Sequence, residues 1–373
     1  MNLLFITNKF PPLSCGVGDY TYHLAKEFVN SGYIVSIICR TDQSIKDHWQ
    51  MHDEGFQVYP IGGNWQRRDW KLVLENIQQI KPATVLFQYV PGSYDRYAVP
   101  WHLIYFYRQL QHLPVKIVTT FHETYVRYNW THPKYLYLAI GQRIIARVVA
   151  KLSHQLITSI DRYEGQLLRW NPKIKQIPIG SNITPISVSD HEIMSLRHRI
   201  APNGEKVLST FGIRDHVSLL KLFQRVLEED TNFVLLIIGK LRADLSYFPE
   251  LVQKKIYITG FLDSPDVYRH LKASDAFIMF DFVNKKGEGG TCNKSGSLAA
   301  AFAAGLPIIA TKGDMTNRLI LEGAGIIWID YHPSMSMKIL KYLNEDISFL
   351  RKLSDTFYKE QLSWNSIYSK YLR

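Results

Sequence analysis

Long apolar runs are missing from this 373-residue sequence. The most hydrophobic helical stretch, 135–150, is broken by Gln142, Arg143 and Arg147, so nothing reaches the roughly 18 uninterrupted apolar residues of a spanning helix. A membrane-spanning protein is thereby excluded. Cysteine is scarce: Cys15, Cys39 and Cys292 are odd in number and far apart, which excludes a disulfide framework and offers no metal-ligand spacing. A reducing cytosol is expected. The opening "MNLLFITNKFPP" lacks the charged start and longer apolar core of a secretory signal, so Leu3 to Thr7 reads as a first buried strand. Acid is in deficit, with 33 acidic against 44 basic residues and a formal charge of +11. That excess suggests an anionic partner: nucleic acid, an anionic membrane surface or a phosphorylated ligand. No basic stripe adjoins a recognisable nucleic-acid module, so no nucleic acid partner is expected.

What is present is the alternation of strand and helix patterns. "LLFIT", "YIVSIIC", "FQVYPI", "TVLFQYV" and "VKIVTTF" are separated by helical periodicity near 18–31, 70–80 and 98–112, which implies parallel sheet covered on both faces. After a long helix near 134–151 the pattern restarts at "KVLSTFG" and runs through "FVLLIIGK", "KIYITGF", "DAFIMFD", "LPIIAT" and "GIIWID". The expected fold is α/β, with two Rossmann-like doubly wound domains facing a cleft, the length being too great for one core. The first domain is expected over 1–182, a linker rich in turn formers over 183–204, and the second domain over 205–354.

Ligands of open α/β sheets bind beyond the carboxyl ends of strands, so the loops there carry the candidates. After the first strand, Gly16 and Gly18 leave a bare backbone before a helix, where main-chain amides and the dipole favour an anion. The same glycines would serve a tight turn with Asp19 as N-cap. A third glycine of the dinucleotide fingerprint is absent, since Thr21 stands there. His122 and Glu123 follow "KIVTTF", a pair suited to hydrogen-bonding a sugar or moving a proton, or to a purely structural role. Arg214 follows "VLSTFG" and suits bidentate phosphate contact or a surface ion pair with Asp215.

The loop "GEGGTCNKSGSLAAAFAAGLPIIAT", 287–311, places Lys294 beside Ser295, Gly296 and Ser297, the first turn of a helix suited to a phosphate or diphosphate. Asn293 replaces the glycine before the lysine of a nucleotide-binding P-loop, and Glu288 replaces its first glycine, so an NTPase does not fit. The small residues after Ser297 read as helix-to-sheet packing. The aromatic stretch "SYDRYAVPWHLIYFYRQLQHL" suits either a membrane interface or an amphipathic helix; Leu103, Phe106, Tyr107 and Leu110 already make a core face, which favours the latter.

In order along the chain, "PPLSCGVGDYTYHLAKEF", "IKQIPIGSNI", "ITGFLDSPDVYRHLKASDAFIM", "AAFAAGLPIIATKGD" and "QLSWNSIYSKYL" resemble the motifs of family-4-type retaining glycosyltransferases of the GT-B fold. The resemblance spans almost the whole chain. It implies a nucleotide-sugar donor, a glycan or lipid-linked acceptor, no cofactor, metal-independent catalysis, and a C-terminal helix, 355–373, crossing back to the first domain. It further implies that His122 contacts the sugar, that Gly16 faces donor and acceptor, and that Asp19 and Glu123 lie on the acceptor side. The family's E-x7-E glutamates are missing, Cys292 and Ala300 standing in their places. "NKSGSLAAA" is instead similar to relatives with an R-G-S-L-type segment, which gives the diphosphate to Lys294 and the 295–297 amides and leaves Glu288 as the only nearby carboxylate. By the same analogy the acceptor belongs to cell-envelope, capsular or lipopolysaccharide assembly at the cytoplasmic face of a membrane, with peripheral contact to anionic lipid. The rival reading is a GT-B pseudo-enzyme that binds nucleotide, glycan or a partner protein; an epimerase or phosphorylase on the same fold is a third.

Overall fold

The computed structural model describes residues 1–13, 15–40, 55–61, 63–128, 130, 132–212, 215–345 and 347–372. The chain divides into two compact units, Met1–Pro178 with Ile367–Arg373, and Ile179–Ser366.

Unit 1 is built on a seven-stranded sheet: β1 (Asn2–Ile6), β2 (Ile34–Arg40), β3 (Gln57–Ile61), β4 (Thr84–Tyr89), β5 (Lys116–Phe121), β6 (Gln155–Thr158) and β7 (Ile174–Gln176). All pairs are parallel, in the order β3-β2-β1-β4-β5-β6-β7. Helices cover both faces, so the strands are apolar on both sides rather than alternating; every residue of β4 is buried. One layer is aromatic: Trp70 packs on Phe106 at 4.6 Å between ring centroids, and Phe87 on Tyr94 at 5.0 Å. Each such ring contributes about 1.5–3 kcal/mol by leaving water. Leu103, Phe106, Tyr107 and Leu110 lie in this core, the face that the periodicity of the aromatic stretch predicts. The strand order reverses between β1 and β4, which places a ligand crevice at their carboxyl ends.

Unit 2 repeats the plan with β8 (Lys206–Phe211), β9 (Phe233–Ile238), β10 (Ile256–Ile258), β11 (Ala276–Met279), β12 (Ile308–Thr311) and β13 (Ile326–Ile329). These are again all parallel, ordered β10-β9-β8-β11-β12-β13. Its reversal falls between β8 and β11, and open parallel sheets bind ligands in the crevice at such a point, beside the loops after those two strands.

Two expected boundaries shift. The segment 183–204 is no free linker: Asp190–Ile200 is a helix, started by a capping box of Ser189 and Glu192, with Leu196 and Ile200 in the core of unit 2. Arg197 fastens it by an ion pair with Asp275 at 2.6 Å and a bond to the Ala273 carbonyl at 3.0 Å. The turn formers mark the N-cap rather than a domain joint. At the other end, Trp364 belongs to unit 2, its indole N–H bonding the Ser181 carbonyl at 2.9 Å. The return to unit 1 begins at Ile367 instead of 355, with Tyr368 and Tyr371 packed edge-on against Phe28 at 5.0 and 6.3 Å. Among the described residues no helix is long and apolar enough to cross a membrane.

The start of β8 is held by the buried pair Lys255–Glu205, at 2.9 Å. Burial alone would raise the Glu205 carboxyl, but hydrogen bonds from Asn203 and Lys255 outweigh it and pull the group from 4.5 to about 2. A depressed carboxyl stabilises the fold above its unfolded value and loses that contribution as pH falls through the folded value. Glu205→Gln is therefore expected to lose about 2–3 kcal/mol near neutral pH. The deficit should shrink as the pH is lowered from 4.5 toward 2. Urea unfolding of both proteins across that range is the check; a pH-independent difference would contradict the assignment.

Candidate active site

In unit 2, Gly296–Ala303 is a helix with Ser295 as N-cap, its Oγ accepting the Leu298 N–H at 3.3 Å. The amides of Gly296 and Ser297 have no acceptor among the described residues, so they and the dipole face any ligand at this end. Ser297 lies against the end of β8: a Cβ on Gly212 would stand 2.9 Å from its Oγ, and Gly212 has φ +87°. The left-handed φ favours a glycine there, while the Ser297 hydroxyl could turn aside. The chain that follows Gly212 contains Arg214, which lies outside the described residues. Lys294, half-buried, immediately precedes the N-cap.

The loop from Phe280 to Asn293 that delivers this helix is a small folded body. Val283 and Gly289 form an antiparallel bridge, and Asn284 Nδ2 donates to Glu288 Oε2 at 2.7 Å. Inside it Thr291 Oγ1 also donates to Asp281 Oδ2 at 2.9 Å, and from outside Asp314 Oδ1 accepts the Gly289 amide at 2.8 Å. This corrects the expectation that Glu288 is the only nearby carboxylate: Asp281 and Asp314 are bonded to the same loop, and Glu288 is tied to Asn284. The two positions that would hold the E-x7-E glutamates are buried, Cys292 at 8% and Ala300 at 0% exposure. Ala300 lies in the core, where a carboxylate would be stranded.

Asn293 is what sequence reasoning missed. It is 4% exposed, its backbone N–H donates to Asn317 Oδ1 at 3.1 Å, and neither atom of its own side-chain amide has a partner. An unpaired buried amide is costly and asks for a reason. Its position beside Lys294 is the only sequence signal. Asp215 caps the helix His216–Glu229; the pairing with Arg214 that the sequence left open lies outside the described residues. Burial opposes its ionisation, but hydrogen bonds from the Ser218 side chain and amide and from Tyr331 pull its carboxyl below the usual range.

In unit 1, His122 follows β5 and its Nε2 lies 2.7 Å from Gln88 Oε1, with Tyr20 edge-on at 5.1 Å. Tyr20, Tyr371 and Thr120 continue the network through hydroxyl bonds of 2.8 and 3.1 Å. Burial drives both phenols up, Tyr371 to about 12, so they act as neutral donors and acceptors near neutral pH. Two polar atoms at the end of β4, Gln88 Nε2 and the Tyr89 hydroxyl, are buried without partners. Glu123 is exposed, and burial together with its charge raises the Tyr89 phenol.

The glycines of the first loop differ. Gly16 begins the helix Gly16–Asn30 with open space where a Cβ would be, whereas a Cβ on Gly18 would meet the Lys9 carbonyl oxygen at 2.6 Å. Gly18 thus lets the helix pack on the strand exit, and its service to a ligand is not needed to explain it. Cys15, not Asp19, is the N-cap residue. Asp19 lies in the first turn, where burial raises its carboxyl.

Two doubly wound parallel-sheet domains, the second with a helix start and a lysine after its fourth strand, define the GT-B class. Residues 211–345 match the family described as glycosyl transferases group 1. No curated protein matches the chain. Among solved structures, sucrose-phosphate synthase of Thermosynechococcus elongatus is similar at TM-score 0.72 and 12% identity, covering 99% of this chain and 97% of its own. Anabaena HepE in complex with UDP gives 0.69 and 12%, covering 100% and 98%. WaaG, a glycosyltransferase involved in lipopolysaccharide biosynthesis, gives 0.65 and 12%, covering 99% and 98%. At such identities the likeness shows the fold. The resemblance read from the motifs is thereby met in fold and in the group 1 match, and together they support glycosyl transfer.

Proposed function

We propose that the protein is a retaining glycosyltransferase that moves a sugar from a nucleotide-sugar donor to a hydroxyl of a glycan or lipid-linked acceptor in cell-envelope assembly. The observation that carries this reading is the helix start at Gly296, with Ser297 against β8 and Lys294 before it, inside the group 1 segment. Glycosyl transfer builds negative charge on the departing nucleoside diphosphate, and preorganised amides with an ammonium stabilise that charge more as it develops. The Gly296 and Ser297 amides, Lys294 and Arg214 take this role. His122, held by Gln88, hydrogen-bonds the transferred sugar; Gly16 and Gly18 serve the donor phosphates, and Asp19 and Glu123 lie on the acceptor side. A donor phosphate oxygen accepts the acceptor proton, so no protein nucleophile, metal or cofactor is invoked. UDP-sugars are the first donors to test, because the Anabaena HepE structure holds UDP. Proton NMR of the product tests retention: the anomeric configuration of the donor should persist, and an inverted product would refute it.

One observation favours a second reading. Core alanine at 300 and buried cysteine at 292 leave the family's carboxylates unreplaced in place, as a nucleotide-binding pseudo-enzyme would. Binding of a nucleotide sugar without hydrolysis or transfer would select it.

Peripheral contact with an anionic membrane finds support on unit 1. Tyr137, Ile140 and Ile144 share one face of the helix Pro133–Leu152 and are 55%, 42% and 43% exposed, next to Tyr135 at 48% and Trp130 at 78%. Trp101 joins them through its indole N–H to the Tyr137 hydroxyl at 3.0 Å. Arg143 lies over Tyr128 at 4.3 Å, and Arg127 and Lys134 add charge. Aromatic rings with interspersed cations suit the headgroup boundary of anionic bilayers. In flotation with phosphatidylglycerol vesicles, Trp130→Ala with Tyr137→Ala should bind about tenfold less. Equal flotation of both proteins would remove this face from the account.

A further inference from the structure

A cavity of about 780 Å³ opens in unit 1 at the carboxyl ends of β1, β2 and β4, beside the point where the strand order reverses. Among the described residues its charged lining is lopsided: Lys9, Arg40 and Arg96 against Asp95. Asp95 is already committed, its Oδ1 accepting the amides of Tyr97 at 2.8 Å and Val99 at 3.2 Å. Arg96 is steadied over the Tyr97 ring at 4.4 Å, while the side chains of Lys9 and Arg40 have no partner among the described residues. Such a wall favours an anion.

The rim suits a sugar. Trp65 and Tyr94, 3% and 2% exposed and packed edge-to-face at 5.1 Å, close the base of the cavity and shape it without offering a ring face. Trp65 holds φ +58°, a conformation that a bulky side chain adopts only when its surroundings impose it. Its indole N–H is fixed to Asn8 Oδ1 at 2.6 Å, which turns a backbone cost into a defined aromatic wall. Asn64, Gln66 and Ser93 add polar groups at the rim for hydroxyls.

We propose that this cavity binds an anionic saccharide, a sugar bearing a phosphate or a carboxylate, and that, given the glycosyl-transfer reading, it selects an anionic acceptor. Arg40 and Lys9 receive the charge, and Asn64, Gln66 and Ser93 receive the hydroxyls of the ring above the base that Trp65 and Tyr94 shape.

The test is calorimetry on the full chain with glucose 6-phosphate, glucuronate and glucose, in the wild type, Arg40→Gln, Lys9→Gln and the charge-keeping Arg40→Lys. At least one anionic sugar should bind about tenfold more tightly than glucose. That advantage should fall at least about fivefold in Arg40→Gln and in Lys9→Gln and largely return in Arg40→Lys. Preference for glucose 6-phosphate names a phosphorylated glycan, and preference for glucuronate a uronate. Equal binding of glucose, no binding of either anion, or affinities indifferent to both glutamine variants overturns the proposal. UDP is titrated in parallel and should bind all four proteins alike; UDP affinity lost in the glutamine variants would give the cavity to the nucleotide and overturn the proposal too. Anionic sugars behaving as expected while no nucleotide sugar is turned over would leave the cavity standing and remove glycosyl transfer.

Discussion

Lys294→Ala should lower the rate of transfer from the cognate nucleotide sugar by about 10²–10³ at saturation. Its ammonium serves charge that is fullest on the leaving diphosphate, so kcat falls more than donor affinity does. The melting temperature should stay close to wild type, because Lys294 is half-buried and outside the core while the helix keeps its Ser295 cap. Steady-state kinetics with circular dichroism is the check. Undiminished turnover would move the diphosphate away from this helix start.

His122→Ala is expected to reduce kcat by about 10². Nucleoside diphosphate binding should be untouched, since His122 contributes to the sugar and not to the phosphates in this account. The substitution also strips Gln88 Oε1 of its partner at 2.7 Å, beside an amide nitrogen already unpaired. A structural role alone would therefore lower stability without changing kcat. His122→Gln separates the two, because it can restore the bond to Gln88 while losing the imidazole. A kcat rescued by glutamine would make His122 a positioning residue.

Much of the fold was legible because buried parallel strands write themselves as unbroken apolar runs. "FVLLII" is fully buried in β9, and the repeat of the strand series marks two sheets. The boundaries were less so. Turn formers over 183–204 signalled an N-cap, and only the burial of Leu196 and Ile200 with the Arg197–Asp275 pair shows that the helix belongs to unit 2. Trp364 and Tyr371 fall in different units although seven residues apart, a division that helical periodicity does not contain.

The candidate site was readable where its chemistry is local in sequence. Lys294 and Ser295 to Ser297 are neighbours, and a helix start needs no distant partner to make its amides available. Gln88 beside His122, Asp314 on Gly289 and the orphaned Asn293 amide depend on contacts between loops or between strands, and no spacing announces them. Gly18 was open to two readings, and packing supplies a sufficient cause for one of them. A glycine before a helix reads as room for a ligand, yet its neighbour is the Lys9 carbonyl.

The central claim is that the loop and helix start at 294–297 bind the diphosphate of a nucleotide-sugar donor. Calorimetric titration of UDP, GDP, ADP and dTDP into the wild-type chain and Lys294→Ala tests it most directly. The account predicts that one nucleoside diphosphate binds the wild type and binds the variant at least about tenfold more weakly. No binding by any of the four, or equal binding by both proteins, would contradict it.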